Sequence, residues 1–286
     1  MINALTFDIE EYFHAEAFAG VVRREDWPLL ESRVVRTTER LLAVLAESGS
    51  IGTFFVLGWV AERTPELVRA IMAQGHEIAC HGYGHRMITR LSRSEFADDI
   101  RRAKDILEAA AGVDVIGYRA PTFSVVRETL WSLEVLAKAG FQYDSSIFPI
   151  VHDRYGIPDA ERFPHRIALG SGREIAEFPL STVRGPVGRF PVAGGGYFRL
   201  LPYGVTSWAL RRLNQREERP GIVYLHPWEI DSDQPRLPVS RRVQFRHAVN
   251  TRSTESKLRR LLRDFQFAPV RDVLSLAGVL TPRKAA

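Results

Sequence analysis

Near the start of the chain, Asp8 and Glu10 stand two residues apart. On an extended strand side chains alternate between faces, so the two carboxylates share a face while Glu11 turns away. Two acids on one buried face repel each other and lose hydration unless a cation or an arginine neutralises them. Further on, His81 and His85 are four apart in Cys80-His81-Gly82-Tyr83-Gly84-His85. A tight turn containing glycine lets both imidazoles reach one ion. Two histidines and a carboxylate leave coordination positions for water or substrate, as hydrolytic metal sites require. Arg119 in Tyr118-Arg119-Ala120-Pro121-Thr122, Asp144 in Tyr143-Asp144-Ser145-Ser146 and His226 in Tyr224-Leu225-His226-Pro227-Trp228 complete the polar set. If they converge, acid, base, metal ligands and a guanidinium make the constellation of metal-assisted hydrolysis.

Convergence needs a scaffold that brings strand ends together. Short β-type runs alternate with helical patterns, the signature of βα units around a parallel sheet. Strands are predicted at 4–10, 53–57, 77–81, 113–120, 141–147, 174–180 and 222–226, and every polar residue above lies near the C-terminal end of one of them. Parallel barrels keep their active sites at that end. Helices are predicted near 37–47, 65–75, 94–111, 127–139 and 203–213. In 94–111 the stripe Phe96, Ile100, Ala103, Leu107 and Ala110 follows helical spacing, and Gly112 supplies the stop. With 286 residues, the chain suits one α/β barrel of about 250 residues. It is read as a single domain over 1–286, with a substrate-side loop at 149–173, a C-terminal helical extension at 240–286 and a frayed tail after Thr281.

Composition narrows the classes further. With 45% hydrophobic and 26% charged residues the chain can bury a large core, which excludes disordered and collagen-like readings. No apolar run approaches the roughly 20 residues of a membrane helix, and no basic-then-apolar leader opens the sequence, so a cytoplasmic location is expected. The lone Cys80 cannot form an internal disulfide, and by alternation with His81 it belongs on the packed side. The net charge of +5 is modest, but Arg241, Arg242, Arg246, Arg252, Lys257, Arg259, Arg260 and Arg263 fall within one stretch. That run is read as a solvated helix face; no nucleic-acid motif accompanies it. Gly194-Gly195-Gly196 lacks the Lys-Ser or Lys-Thr of a phosphate loop and is read as a turn.

The ordered set Thr6-Phe7-Asp8, His81-x-x-x-His85, Arg119-x-Pro121, Asp144 and Leu225-His226-Pro227 resembles the five motifs of the polysaccharide deacetylase superfamily, carbohydrate esterase family 4. That superfamily includes nodulation-factor and peptidoglycan deacetylases. The stretches Asp8-Ile9-Glu10-Glu11-Tyr12-Phe13-His14, His152-Asp153-Arg154-Tyr155-Gly156 and His226-Pro227-Trp228-Glu229-Ile230-Asp231 resemble the subfamily of bacterial exopolysaccharide and exosortase loci. The resemblance implies a distorted, incomplete (β/α)7-type barrel that removes N-acetyl groups from amino sugars with a divalent metal, most often Zn2+. Carried over residue by residue, it implies Asp8 as base, Arg119 as the partner holding it, His226 as acid and Asp144 as the carboxylate orienting that acid. His81 and His85 match the metal ligands. Where the family pattern places a second Asp directly after the base this chain has Ile9, so the third ligand is assigned to Glu10, one residue later. Gly82 replaces a usual Ser or Thr that steadies the loop. Thr122 replaces a Tyr whose backbone N–H helps hold the oxyanion, a donor that survives the exchange. His14, Arg154, Tyr155 and Trp228 are expected to touch an N-acetylated oligo- or polysaccharide. Two other readings stay open: a hydrolase of a cyclic amide or ureide on the same barrel, and a carbohydrate-binding protein without chemistry.

Overall fold

In β1 (Ile2–Ile9) the alternation is complete: Leu5, Phe7 and Ile9 join the core beneath the helices, while Ala4 packs with the interior residues Phe55, Ala79 and Tyr143. Thr6 and Asp8 share the face of Ala4, so the chain's first carboxylate is built into the inside of the sheet. The computed structural model describes residues 1–186 and 188–281.

After β1 come α1 (Val34–Ser48), β2 (Thr53–Val56), α2 (Gly58–Arg63), α3 (Pro65–Ala73), β3 (Glu77–Cys80), α4 (Arg93–Ala111), β4 (Gly117–Tyr118), α5 (Trp131–Lys138), β5 (Tyr143–Asp144), β6 (His165–Ala168) and β7 (Glu174–Glu177). The second part contains β8 (Thr182–Gly185), β9 (Gly188–Pro191), α6 (Gly195–Leu200), α7 (Tyr203–Gln215), β10 (Ile222–Leu225), α8 (Arg241–Ala248), α9 (Thr251–Asp264), β11 (Gln266–Ala268) and α10 (Val270–Leu276). Local chemistry sets several boundaries. A Ser92–Glu95 capping box opens α4 and Gly112, at φ 69°, closes it, while Phe96, Ile100, Ala103 and Leu107 form its buried stripe.

The seven strands predicted from the sequence all form, in the order β10-β1-β2-β3-β4-β5-β7, and every neighbouring pair is parallel. The result is an incomplete (β/α)7-type barrel: β7 pairs on its far side with antiparallel β6 and not with β10. The chain between them spans the gap. Val192 N–H donates to the Ser181 carbonyl (3.0 Å), Tyr224 N–H to that of Ala193 (2.7 Å) and Ile222 N–H to Ser181 Oγ (2.7 Å). The triple glycine serves this crossing. At Gly194 (φ 137°) a Cβ would lie 2.0 Å from the Tyr224 carbonyl oxygen, so only glycine allows the backbones to touch.

Two expectations change. The segment 149–173 is not loop throughout: β6 occupies part of it as a half-exposed edge strand, a pattern too short to show a period. The region 240–286 is more than a helical extension, since β11 joins the sheet beside β1, pairing with Ile2–Ala4. Beyond it α10 closes the barrel floor, where Val270 N–H donates to Thr53 Oγ1 (2.8 Å). The expectation for residues after Thr281 concerns 282–286, which lie outside the described residues. Among the described residues no helix is long and apolar enough to cross a membrane.

Candidate active site

At the C-terminal ends of β1, β3, β4 and β10 the chain delivers Asp8, His81, Arg119 and His226 to one mouth. Arg119 is wholly buried. Its Nη1 donates to Asp8 Oδ1 (2.7 Å) and Thr6 Oγ1 (2.8 Å), and its Nε and Nη2 donate to the carbonyl and hydroxyl of Ser145 (3.0 Å each). The guanidinium also lies 4.1 Å over the Phe55 ring. A buried charge is tolerable only when its donors are used this fully, and the arrangement gives Asp8 both a counter-charge and one orientation.

Glu10 follows immediately after β1. Its Oε2 lies 2.7 Å from His85 Nε2 and 3.9 Å from His81 Nε2, yet it is buried without a hydrogen bond of proper geometry. The ligand atoms of Glu10, His81 and His85 all lie within 4.8 Å of one another. His81 Nδ1 meets the Arg119 carbonyl at 2.9 Å, so that nitrogen carries the proton and Nε2 keeps its lone pair. Burial pushes the His81 imidazole down to about 4, the neutral form a metal needs. For Glu10, burial opposes ionisation, but His85, His226 and His81 hold it well below the usual carboxylate range. Donor set, tautomer and the unsatisfied oxygen together fit a divalent metal ion.

Backbone conformation supports both histidines. Gly82 sits at φ 75° with Asp99 Oδ2 3.0 Å from where a Cβ would be. The same Asp99 oxygen accepts from Tyr83 N–H (2.8 Å), so a carboxylate from α4 steadies the turn in place of the missing hydroxyl. His85 itself is left-handed (φ 50°), as are Thr122 (φ 57°) and Phe123 (φ 51°). Such non-glycine conformations concentrate at functional sites. Ala120 N–H donates to Ser146 Oγ (2.7 Å), while Thr122 N–H has no hydrogen-bond partner among the described residues.

His226 closes the set. Its Nε2 stands 3.9 Å from Asp8 Oδ2 and 3.7 Å from Glu10 Oε1. On the other side of the ring, Nδ1 is 2.6 Å from Glu229 Oε1, so Nδ1 is protonated and Nε2 is the atom facing the mouth. Burial works against its charge, but Glu10, Glu229 and Asp8 outweigh that and raise it to about 9.

This corrects the expectation for Asp144. It is buried on β5 beside Glu177 of β7, accepting from Ser146 Oγ at 2.5 Å. The carboxylate that meets His226 is Glu229, three residues downstream in the same turn. Within His226-Pro227-Trp228-Glu229 the signal was the spacing of three from His226 to Glu229 with a proline directly after the histidine, which folds the chain into a 3-10 turn and returns Glu229 to His226. Trp228 is also placed differently from a sugar platform. It is buried, stacked between His226 (4.8 Å) and His247 (4.2 Å), and donates from Nε1 to Glu10 Oε1 (3.2 Å). His14 is likewise buried and enclosed by Phe13, Trp27 and Trp59, its ring centre 6.3 Å from that of His85. Tyr155 and Arg154 lie nearer solvent. Tyr155 stacks on His152 (3.8 Å) and meets Phe123 edge-on, and Phe123 in turn meets Tyr224, the neighbour of His226. Arg154 borders an open cleft of about 520 Å³ with Glu16, Met87 and Arg90.

A family model described as polysaccharide deacetylase matches residues 4–143. The chain carries a polysaccharide deacetylase domain. A second model, described as a domain of unknown function (DUF3473), matches residues 145–275. The chain is 29% identical over 129 residues to a peptidoglycan-N-acetylglucosamine deacetylase of Bacillus cereus, covering 44% of this chain and 46% of that protein. It is 30% identical over 106 residues to a chitooligosaccharide deacetylase of a Bradyrhizobium species, covering 36% and 46%. The chain thus spans less than half the length of these relatives. In fold it is similar to a Mycobacterium smegmatis crystal structure assigned to the polysaccharide deacetylases, with a TM-score of 0.62 and 24% identity over 100% of this chain and 93% of that one. The deacetylase domain supplies Asp8, Glu10, His81, His85 and Arg119; His226 and Glu229 come from the second matched region.

Proposed function

We propose that the protein is a metal-dependent hydrolase that removes N-acetyl groups from the amino sugars of a bacterial exopolysaccharide or cell-surface glycan. The observation that carries this reading is the meeting of two carboxylates and three histidines at one barrel mouth, with His226 Nε2 within 3.9 Å of Asp8 and 3.7 Å of Glu10. A divalent ion held by Glu10, His81 and His85 would supply Lewis acidity, lowering the pKa of water and polarising the acetamide carbonyl. Asp8, fixed by Arg119, takes the proton from the attacking water. The Thr122 N–H, without a hydrogen-bond partner among the described residues, is the donor for the oxygen that becomes negative. His226 gives its Nε2 proton to the departing nitrogen as the C–N bond breaks, because an unprotonated amine anion is a very poor leaving group. One amide and one water yield acetate and a free amino group.

Support for a saccharide comes from the similar proteins, which are named as peptidoglycan-N-acetylglucosamine and chitooligosaccharide deacetylases. The test is acetate release from N-acetylglucosamine oligomers, before and after removal of metal by a chelator and its restoration. Metal-dependent acetate release supports the reading. Ring-opening of a cyclic amide without acetate release would replace it, and saccharide binding without turnover in the metal-loaded protein would reduce it to a binding protein.

A further inference from the structure

His226 stands on the rim of the site, its side chain 18% exposed, and an imidazole there keeps one orientation only if its neighbours hold it. Proton delivery requires Nε2, and not Nδ1, to face the leaving nitrogen. Behind the ring lies a buried chain of contacts that the proposed reaction does not itself use. Glu229 is completely buried; its Oε1 meets His226 Nδ1 at 2.6 Å and the His226 backbone N–H at 3.1 Å. Its other oxygen accepts from Arg199 Nε at 2.7 Å. Arg199, on α6, is itself buried and sends Nη1 to the carbonyls of His247 (2.6 Å) and Arg246 (3.2 Å) at the end of α8. Lys257 of α9 donates to the carbonyls of Phe198, Arg199 and Leu201 at 3.2, 2.9 and 3.0 Å, fixing the end of α6. Trp228 fills the remaining side, stacked on His226 and 5.2 Å from the Arg199 guanidinium.

We infer that Glu229 is the positioning residue for His226, that Arg199 holds Glu229 in place, and that the part of the chain with no assigned role thereby supplies the acid half of the active site. The inference rests on the reading of His226 as proton donor. A carboxylate at Nδ1 fixes the tautomer and ring orientation, as a buried acid does in a catalytic triad. The guanidinium neutralises that acid, so that it remains a directed acceptor and does not become an uncompensated buried charge. The carbonyls at the end of α8 complete the environment of Arg199. Residues 195–257 thus form a brace whose outermost member is the catalytic imidazole.

Glu229→Gln tests this, with two substrates that differ in their need for an acid: an N-acetylglucosamine oligomer and p-nitrophenyl acetate, whose phenolate leaves without protonation. Turnover of the amide should fall about 10- to 100-fold, within the range of general acid–base contributions, with KM changed less than about threefold. The loss on the ester should be at least about tenfold smaller. In a His226→Ala background the same substitution should cost almost nothing further, because residues that act as a unit are non-additive. Equal losses on both substrates, or an undiminished effect without His226, would overturn the inference. Should Glu229→Gln unfold the protein, Arg199→Lys gives the same comparison, with the amide again losing more than the ester. A reading independent of turnover comes from nitrogen NMR of the metal-loaded protein. Once made neutral by raising the pH, the wild-type His226 ring should be the Nδ1–H tautomer and Glu229→Gln should populate both; an unchanged tautomer in the variant also counts against the inference. If wild type releases no acetate but the tautomer responds, the proposed reaction fails while the positioning stands.

Discussion

Two buried arginines, Arg119 and Arg199, each hold a carboxylate at the site, and they do so in different ways. Arg119 grips Asp8 directly, across the barrel interior, from a position 111 residues away in sequence. Its other donors go to Thr6 and Ser145, so the base is set by the sheet itself. Arg199 grips Glu229, which in turn meets His226 three residues earlier in the same turn. The acid is therefore set by a local loop, and that loop by helices added after the deacetylase domain. Such a division lets the water-activating pole be as rigid as the barrel while the proton-donating pole is tuned by a separate region. It also explains why the two matched regions meet at Trp228, whose indole N–H reaches across to Glu10.

Breaking the sheet-borne pole should have the largest effect. Arg119→Met removes the counter-charge of Asp8 from a wholly buried setting and leaves the Thr6 and Ser145 acceptors empty. Removing one partner of a buried pair costs about 3–5 kcal/mol, which a denaturant midpoint will register as a large shift, together with loss of acetate release. A midpoint close to wild type would show that the base does not depend on this arginine. Asp8→Asn is the milder cut: the amide still accepts from Arg119, so folding should survive while turnover falls at least about a hundredfold. Near-normal turnover in the folded variant would remove Asp8 from its role as base.

A smaller effect probes the link between the poles. Trp228→Phe keeps the stack between His226 and His247 but removes the hydrogen bond to Glu10. Partners that orient a metal ligand are typically worth about 10- to 100-fold in metal affinity, so competition with a chromogenic chelator should show metal binding weakened by about tenfold. Activity at saturating metal should largely return. Unchanged affinity would mean that the second region does not act on the metal ligands at all.

How much of this was legible in the sequence follows from the same division. Strand ends in a parallel barrel all face one mouth, so polar residues at 8, 81, 119 and 226 could be assembled by counting strands, and a period of two separated Asp8 and Glu10 from Ile9 and Glu11. Residues acting through tertiary contact were not legible in that way. Arg199 sits in the short helix α6, beyond a glycine run, and nothing in its local pattern distinguishes this buried arginine from those at the surface. Glu229 was within reach of a turn argument, but the resemblance gave the orienting role to Asp144, which stood at a strand end like the other site residues. β11, and the packing of α10 on the barrel floor, were missed because these contacts are with β1 and β2, more than 200 residues away in sequence. His14 and Trp228 have the residue types of sugar contacts, yet their burial is decided by neighbours that arrive from distant segments.

Asp144 offers the smallest effect, and one whose sign differs between the two roles it has been given. Side by side on β5 and β7, Asp144 and Glu177 are fully buried carboxyls. Burial raises both above the ordinary carboxylate range, and the Asp144 carboxylate raises Glu177 further. A raised folded-state pKa means that the native protein holds a proton which the unfolded chain has already released. Such a group contributes stability that is fully present below the unfolded pKa, near 4, and is lost as pH rises through the folded value. Asn cannot ionise. The stability of Asp144→Asn relative to wild type should therefore improve between about pH 4 and pH 7.5, by an amount on the order of 1 kcal/mol, one pKa unit being worth about 1.4 kcal/mol. Thermal melts of both proteins across that range read the difference. Its acetate release should drop at most a few-fold, far less than in Asp8→Asn, because Asp144 touches Ser146 and Glu177 and His226 is held by Glu229. A melting difference independent of pH would show that the pair holds no extra proton. A hundredfold loss of turnover confined to amide substrates would return the orienting role to Asp144.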